Sequence, residues 1–299
     1  MIRWLSCAVL IAMIQPLCAQ QNLAIPQADT AREAPRTMLG AYAGYQRNFY
    51  RADMTGLPGT PSCCPRYTEG DGGGFALGGL VELPLSGAWM LQVRVGYAMH
   101  NGTLTDTEPQ VVLVGGAAVP ALIEHRVDAR ISTIGVEPLI GYSPLERLGL
   151  YVGGRIGYVS GSTFDQKETL VEPAGVGTFE NNRRTRNEYA DLPIPDASSL
   201  YTGLLGLVSY KLPLSRSGAW WLVPELSYTI GLNRLSSGVE WKTDHARAGL
   251  SVQYAFLPAP PAPPPPPPVM ISKDPPRIAS RPLLDASVTA MGVDAQGRT

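Results

Sequence analysis

Seven charged residues recur inside stretches of alternating apolar and polar side chains: Glu82, Arg94, Glu137, Arg155, Lys211, Glu225 and Arg247. Three carboxylates stand against four cations. Charges of both signs placed on one face of regular elements are suited to ion pairing, and inside a fold they must pair or keep water. Acid–base chemistry would need other residues. The chain has three histidines, His100, His125 and His245. Ser160, Ser162 and Asp244 are the hydroxyls and the carboxylate expected nearest to His100 and His245. No nucleophile elbow, metalloprotease helix motif, phosphate loop or spaced metal-ligand cluster accompanies them. The run Gly70-Asp71-Gly72-Gly73-Gly74 reads as a loop entering a strand, since no Lys and no helix follows it. Cys7 and Cys18 fall in an N-terminal export segment, leaving the adjacent pair Cys63 and Cys64. Their Cα atoms can stand only ~3.8 Å apart, so a vicinal disulfide would be a strained loop staple. No catalytic, cofactor or metal site is predicted.

The elements that position these charges are strands. From about residue 38 to 257 the chain repeats stretches of about ten residues with period two, then a turn or loop. In residues 89–100, Trp89, Leu91, Val93, Val95, Tyr97 and Met99 face one way, and Gln92, Arg94 and His100 the other. Residues 220–230, 150–158 and 247–256 repeat the pattern. Less regular stretches at 38–50, 73–83, 130–142 and 199–212 bring the count to about eight. The connections alternate. Those near residues 84–87, 143–149 and 213–218 are short, whereas 51–72, 101–126, 161–197 and 233–244 are long and polar. Short turns at one end and long loops at the other are the pattern of an antiparallel up-and-down barrel crossing a bilayer. The turn at residues 82–89 echoes at 211–220, with Leu-Pro-Leu-Ser followed by Gly-Ala-Trp.

The apolar face carries aromatic residues at both limits. Trp89 and Tyr97 are eight residues apart, as are Trp220 and Tyr228. Eight residues at ~3.3 Å cover about 26 Å. A tilt of ~40° leaves about 20 Å, near the ~25 Å apolar band of membrane barrels. Trp89, Tyr97, Tyr158, Trp220, Tyr228, Tyr254 and Phe256 thus form a predicted aromatic girdle. The seven charges then face inward. An eight-stranded barrel is just wide enough for side chains to fill it, which predicts a plugged interior with an ion-pair network. The fold class is therefore all-β: an eight-stranded antiparallel transmembrane barrel with a disordered Pro-rich tail. A soluble secreted sandwich is the alternative.

Residues 1–19 form a signal peptide, with Arg3 before an apolar run at 4–14 and small residues near the cleavage point. Residues 20–37 are a lead segment and 38–257 the barrel. Residues 258–268, all Pro or Ala, make a polyproline linker of ~34 Å at 3.1 Å per residue. Residues 269–299 form a periplasmic tail that reads either as the start of a truncated domain or as a segment that pairs with a partner. Lys+Arg number 24 and Asp+Glu 25, so no electrostatic case for nucleic acid exists. At 16% charged residues the chain falls below the ~25% of soluble domains.

This layout resembles the outer-membrane protein A-like (OmpA-like) family: signal, eight amphipathic strands, an aromatic last strand, a Pro-rich hinge and a periplasmic extension. Residues 61–65 around the paired cysteines, followed by 82–86, resemble a barrel subgroup of that family. Gly249, Val252 and Tyr254, after Arg247, resemble the assembly signal of a last strand. The resemblance implies outer-membrane lipids and the barrel-assembly machinery as partners, and peptidoglycan only through a longer form. The expected location is the outer membrane of a Gram-negative-type bacterium, with loops outside and tail periplasmic. The expected function is structural and non-enzymatic. Adhesion through the loops, including the basic cluster at 181–186, and a lipid-modifying barrel enzyme are the alternatives.

Overall fold

The computed structural model describes residues 36–61 and 65–256. The signal peptide, most of the lead segment, Cys63 and Cys64, the polyproline linker and the tail lie outside the described residues. The strands are β1 (Met38–Met54), β2 (Tyr67–Pro84), β3 (Trp89–Met99), β4 (Gly102–Val114), β5 (Ala117–Leu145), β6 (Leu148–Glu172), β7 (Thr185–Pro193), β8 (Leu200–Tyr210), β9 (Leu212–Pro213), β10 (Trp220–Gly231) and β11 (Glu240–Ala255). Every pairing is antiparallel. β4 continues β3 past a break at His100 and Asn101, since both pair with β2 and β5. β7 and β8 likewise run along β6 in succession. Each chain neighbour pairs with the next, and β1 returns to β11 from Met38↔Ala255 to Asp53↔Glu240. The result is a closed ring of eight strands, which leaves no sheet edge in the ring unpaired.

The turns follow the echo in the sequence. Leu85 N–H donates to Trp89 O at 3.0 Å, and Leu214 N–H to Trp220 O at 2.8 Å. Gly87 and Gly218 take φ of 58° and 68°, which glycine adopts without steric cost. At this end the connections are short, as predicted.

The other end departs from the sequence reading. Residues 101–126 and 161–197, read as loops, are mostly strand. β4 and β5 form a hairpin that turns in two residues, Gly115 and Gly116, both at positive φ, the geometry of a tight primed hairpin turn. The glycine run at 70–74 also sits inside β2 rather than at a strand entry. It lies against β1 and the β3–β4 break, where a Cβ at Gly72 would meet the backbone of Asn101 and Gly102.

The strands are long because the alternation continues with its sense reversed. In the lower half of β5, Ile134, Val136 and Ile140 point out, and Thr133, Glu137 and Leu139 point in. Above Ser132, Arg126 and Arg130 point out, while Val127, Ala129 and Ile131 are buried. In β6 a register shift near Val159 to Gly161 exchanges which parity faces inward, as a bulge does. Phe164, Gln166, Glu168 and Leu170 are buried above it.

Candidate functional site: the ion-paired interior

The ring encloses side chains in layers. Nearest the short turns, Met90, Leu139, Tyr151, Leu205 and Leu207 form an apolar cluster. Glu82 sits beside it, accepting from Tyr151 Oη at 2.6 Å and Gln92 Nε2 at 3.0 Å and pairing with Lys211 Nζ. Gln92 Oε1 accepts from Arg94 Nε at 2.6 Å.

The next layer holds the remaining charges. Arg94 makes a two-pronged pair with Glu225, at 2.7 and 2.8 Å. Glu225 also accepts from Ser251 Oγ at 2.8 Å. Glu137 accepts from Arg247 at 3.0 and 3.1 Å and from Arg155 Nη1. The structure thus brings all seven interior residues into pairs, five of them around Glu137 and Glu225. Tyr42 lies between the two groups, its ring centroid 5.1 Å from the Arg94 guanidinium and 5.3 Å from that of Arg247. Cations over an aromatic face are attracted by its quadrupole.

Above this, Thr133 Oγ1 stands 3.0 Å from Arg155 Nη2 and 3.1 Å from His100 Nε2. The rings of His100 and His245 lie 5.0 Å apart between centroids, inclined at 54°, and the Tyr201 ring lies 4.8 Å from His100. Both histidines are buried. Two of the three residues expected beside them, Ser160 and Asp244, make other contacts. Ser160 Oγ meets Ser132 Oγ, and Asp244 pairs with Arg51 at 2.8 Å. Period two explains this: Asp244 is one residue from His245, so the two side chains leave the sheet on opposite faces.

The top layer is apolar. Tyr50, Met54, Leu57, Tyr67, Leu104, Val127, Ile131, Phe164, Ile194, Tyr201, Leu235 and Trp241 form one buried cluster. Leu57, Ile194 and Leu235 come from connections between strands, so these segments fold over the ring's upper mouth.

The girdle residues all sit on the outer face. Trp89, Tyr158, Trp220, Tyr228 and Phe256 are exposed, and Tyr97 and Tyr254 half-buried. Tyr45, Phe75, Tyr142 and Tyr210 join them on the same face. The sequence did not single out these four, because their strands alternate less regularly. Trp89 and Tyr142 are 5.0 Å apart, and Trp220 and Tyr254 5.1 Å. Gly249, Val252 and Tyr254 lie on β11, where a Cβ at Gly249 would meet Ala43 O on β1.

Two sets of partners in the upper half were not legible in the sequence. The basic cluster at 181–186 is largely used within the chain. Arg184 donates to the carbonyls of Leu170, Val176 and Pro173, and Arg186 pairs with Glu168 at 2.6 Å over the Phe179 ring. His125 is buried between Glu108 and Glu168, 3.6 Å from each. Glu168 lies ten residues above Tyr158, clear of the outward apolar belt, and its side chain is 1% exposed. Burial pushes its carboxyl up, but His125, Asn187 and Arg186 more than offset this and hold it at about 2. A carboxyl lowered on folding adds stability above its unfolded value and loses it as pH falls toward the folded one. Wild type is therefore expected to lose stability between about pH 4.5 and 2, and Glu168→Gln to flatten that part of the profile. Thermal unfolding across pH checks this; an unchanged profile in the variant would refute it.

No protein-family model and no curated protein matches the chain. Solved structures do. Neisserial surface protein A is 12% identical, covering 74% of this chain and 97% of that one, with a TM-score of 0.33. Ail of Yersinia pestis is 12% identical over 74% and 100%, at 0.31. The outer membrane protease OmpT of Escherichia coli is 9% identical over 76% and 100%, at 0.32. At these scores the likeness supplies no argument about activity or kinship.

Proposed function

We propose that this chain is a structural outer-membrane barrel of a Gram-negative-type bacterium. The lower half sits in lipid, the charged upper half lies outside the cell, and the Pro-rich tail reaches the periplasm. The observation that carries this reading is the reversal along single strands. Where Ile134 to Ile140 face outward the interior is ionic; where Arg126 to Arg130 face outward the interior is apolar. Water on both outer surfaces would favour charges outside throughout. A lipid belt below and water above favours the arrangement seen. Aromatic side chains at both limits of the belt support it.

The ion-paired and apolar layers together support a filled interior rather than an open pore. The OmpA-like layout, the partners it implies and a non-enzymatic role belong to the same proposal. For a lipid-modifying enzyme, two candidate partners of His100 and His245, Ser160 and Asp244, are engaged elsewhere. Attachment through the upper half has one observation in its favour: Val111 and Leu113, 69% and 75% exposed, crown the β4–β5 hairpin.

The test uses outward apolar residues. Val152 and Leu226 are 66% and 64% exposed on the outward apolar face, Leu226 lying between the aromatic limits Trp220 and Tyr228. In water, Val152→Arg or Leu226→Arg should change stability by under ~0.5 kcal/mol. In lipid each should cost about 2–4 kcal/mol. Unfolding in bilayers and the unheated gel mobility of the membrane fraction read the difference. Fully tolerated arginines in a soluble protein would sink the membrane reading and favour a secreted sandwich-like barrel.

A further inference from the structure

The interior charges do not balance. In the lower half of the ring Glu82 pairs with Lys211 and Glu225 with Arg94, but Glu137 alone serves both Arg155 and Arg247. Four cations against three carboxylates leave one positive charge. Arginine does not shed its proton in proteins, so this charge cannot be removed by titration. Arg155, Arg247 and Glu137 are each buried, and an uncompensated buried charge is costly.

Hydrogen-bond donors collect at the same place. Two cross-strand pairs face inward one above the other, Ser227↔Arg247 and Thr229↔His245. Among the described residues, Arg155 Nε, Thr229 Oγ1, Ser227 Oγ and both ring nitrogens of His245 are buried without a hydrogen-bond partner. Thr229 and His245 are essentially inaccessible. Most buried side-chain polar atoms in folded proteins have a partner. Hydroxyls can donate or accept, a neutral imidazole offers one N–H, and Arg155 Nε only donates. Water could satisfy these groups, but a neutral molecule leaves the excess charge in place. An anion answers both needs.

We infer that the barrel interior binds one small monovalent inorganic anion, such as chloride, between the Arg155–Arg247 pair and the Thr229–His245 pair. The inference requires only the closed ring and its side chains, not the ring's location in a membrane. The anion would complete the charge set and tie β6, β10 and β11 together. Its role is structural: a ligand that binds only the folded state raises stability with its concentration.

The experiment compares thermal unfolding of the folded full chain in sodium chloride and in sodium gluconate at equal ionic strength. Chloride should raise the midpoint by about 5 °C, with saturation. Thr229→Val, which keeps the volume and removes the hydroxyl, should need at least about threefold more chloride for half the effect. Crystals soaked in bromide should show an anomalous peak within hydrogen-bond distance of Arg155 Nε. Equal midpoints in both salts, with no bromide peak inside the ring, would overturn the proposal. Because the bromide experiment uses wild type, a variant that fails to fold leaves the proposal testable.

Discussion

Glu137→Gln is expected to destabilise the barrel by about 3–5 kcal/mol, the usual cost of removing one partner from a buried ionic group. Glu137 accepts from two guanidiniums that come from β6 and β11. The amide is nearly the same size, so the loss is electrostatic rather than a cavity. It leaves Arg155 and Arg247 close together with no carboxylate between them. Repulsion there should act first on the contact across the ring. Urea unfolding of the purified protein measures the loss. The triple variant Glu137→Leu, Arg155→Met, Arg247→Met separates causes, since replacing a whole buried ionic cluster by apolar groups of similar volume is often neutral. Recovery of most of the stability in the triple variant is expected. A single variant within about 0.5 kcal/mol of wild type would show that the interior charges are solvated and that Glu137 holds nothing.

Trp241→Ala is expected to cost about 3–5 kcal/mol, as for other large buried aromatics. Trp241 is fully buried in the upper apolar cluster, its ring edge-on to Tyr50 at 5.3 Å and 80°. Its indole N–H has no hydrogen-bond partner among the described residues. Trp241→Phe should therefore cost far less, under about 1.5 kcal/mol, because the lost volume is partly offset by removing an unsatisfied donor. Local opening should concentrate in the upper half. Hydrogen exchange at β4, β7 and the connection at 232–239 should rise in the alanine variant while the belt stays protected. Equal costs for both variants would mean that the N–H, not the packing, is what position 241 contributes.

Much of this fold was legible because a strand announces itself locally. Period two is a property of consecutive residues, and so are the turn signals at 84–87 and 213–218. The inward placement of Arg94, Arg155 and Arg247, and the outward placement of Trp89 and Trp220, follow from parity alone. The long loops were misread for local reasons too. Pro109 and Pro120 interrupt the hairpin, and proline usually argues against a strand. Here β4 and β5 pair straight through them, Pro109↔Leu122 and Val111↔Pro120. The bulge at 159–161 shifted the parity of β6, so its alternation looked broken where the strand continues.

What the sequence determined by itself is which face each side chain takes, since that depends on backbone geometry between neighbours. It also set the balance of interior charge, which is a count. The tertiary structure alone decided who pairs with whom. Arg94 and Glu137 stand directly opposite on β3 and β5, yet Arg94 reaches Glu225, 131 residues away, and Glu137 takes Arg247, 110 residues away. Those partners meet because the ring closes and brings opposite walls within side-chain reach. Closure and stagger are properties of all eight strands together. No stretch of sequence carries that information, so which carboxylate is shared, and by which cations, appears only in the closed barrel.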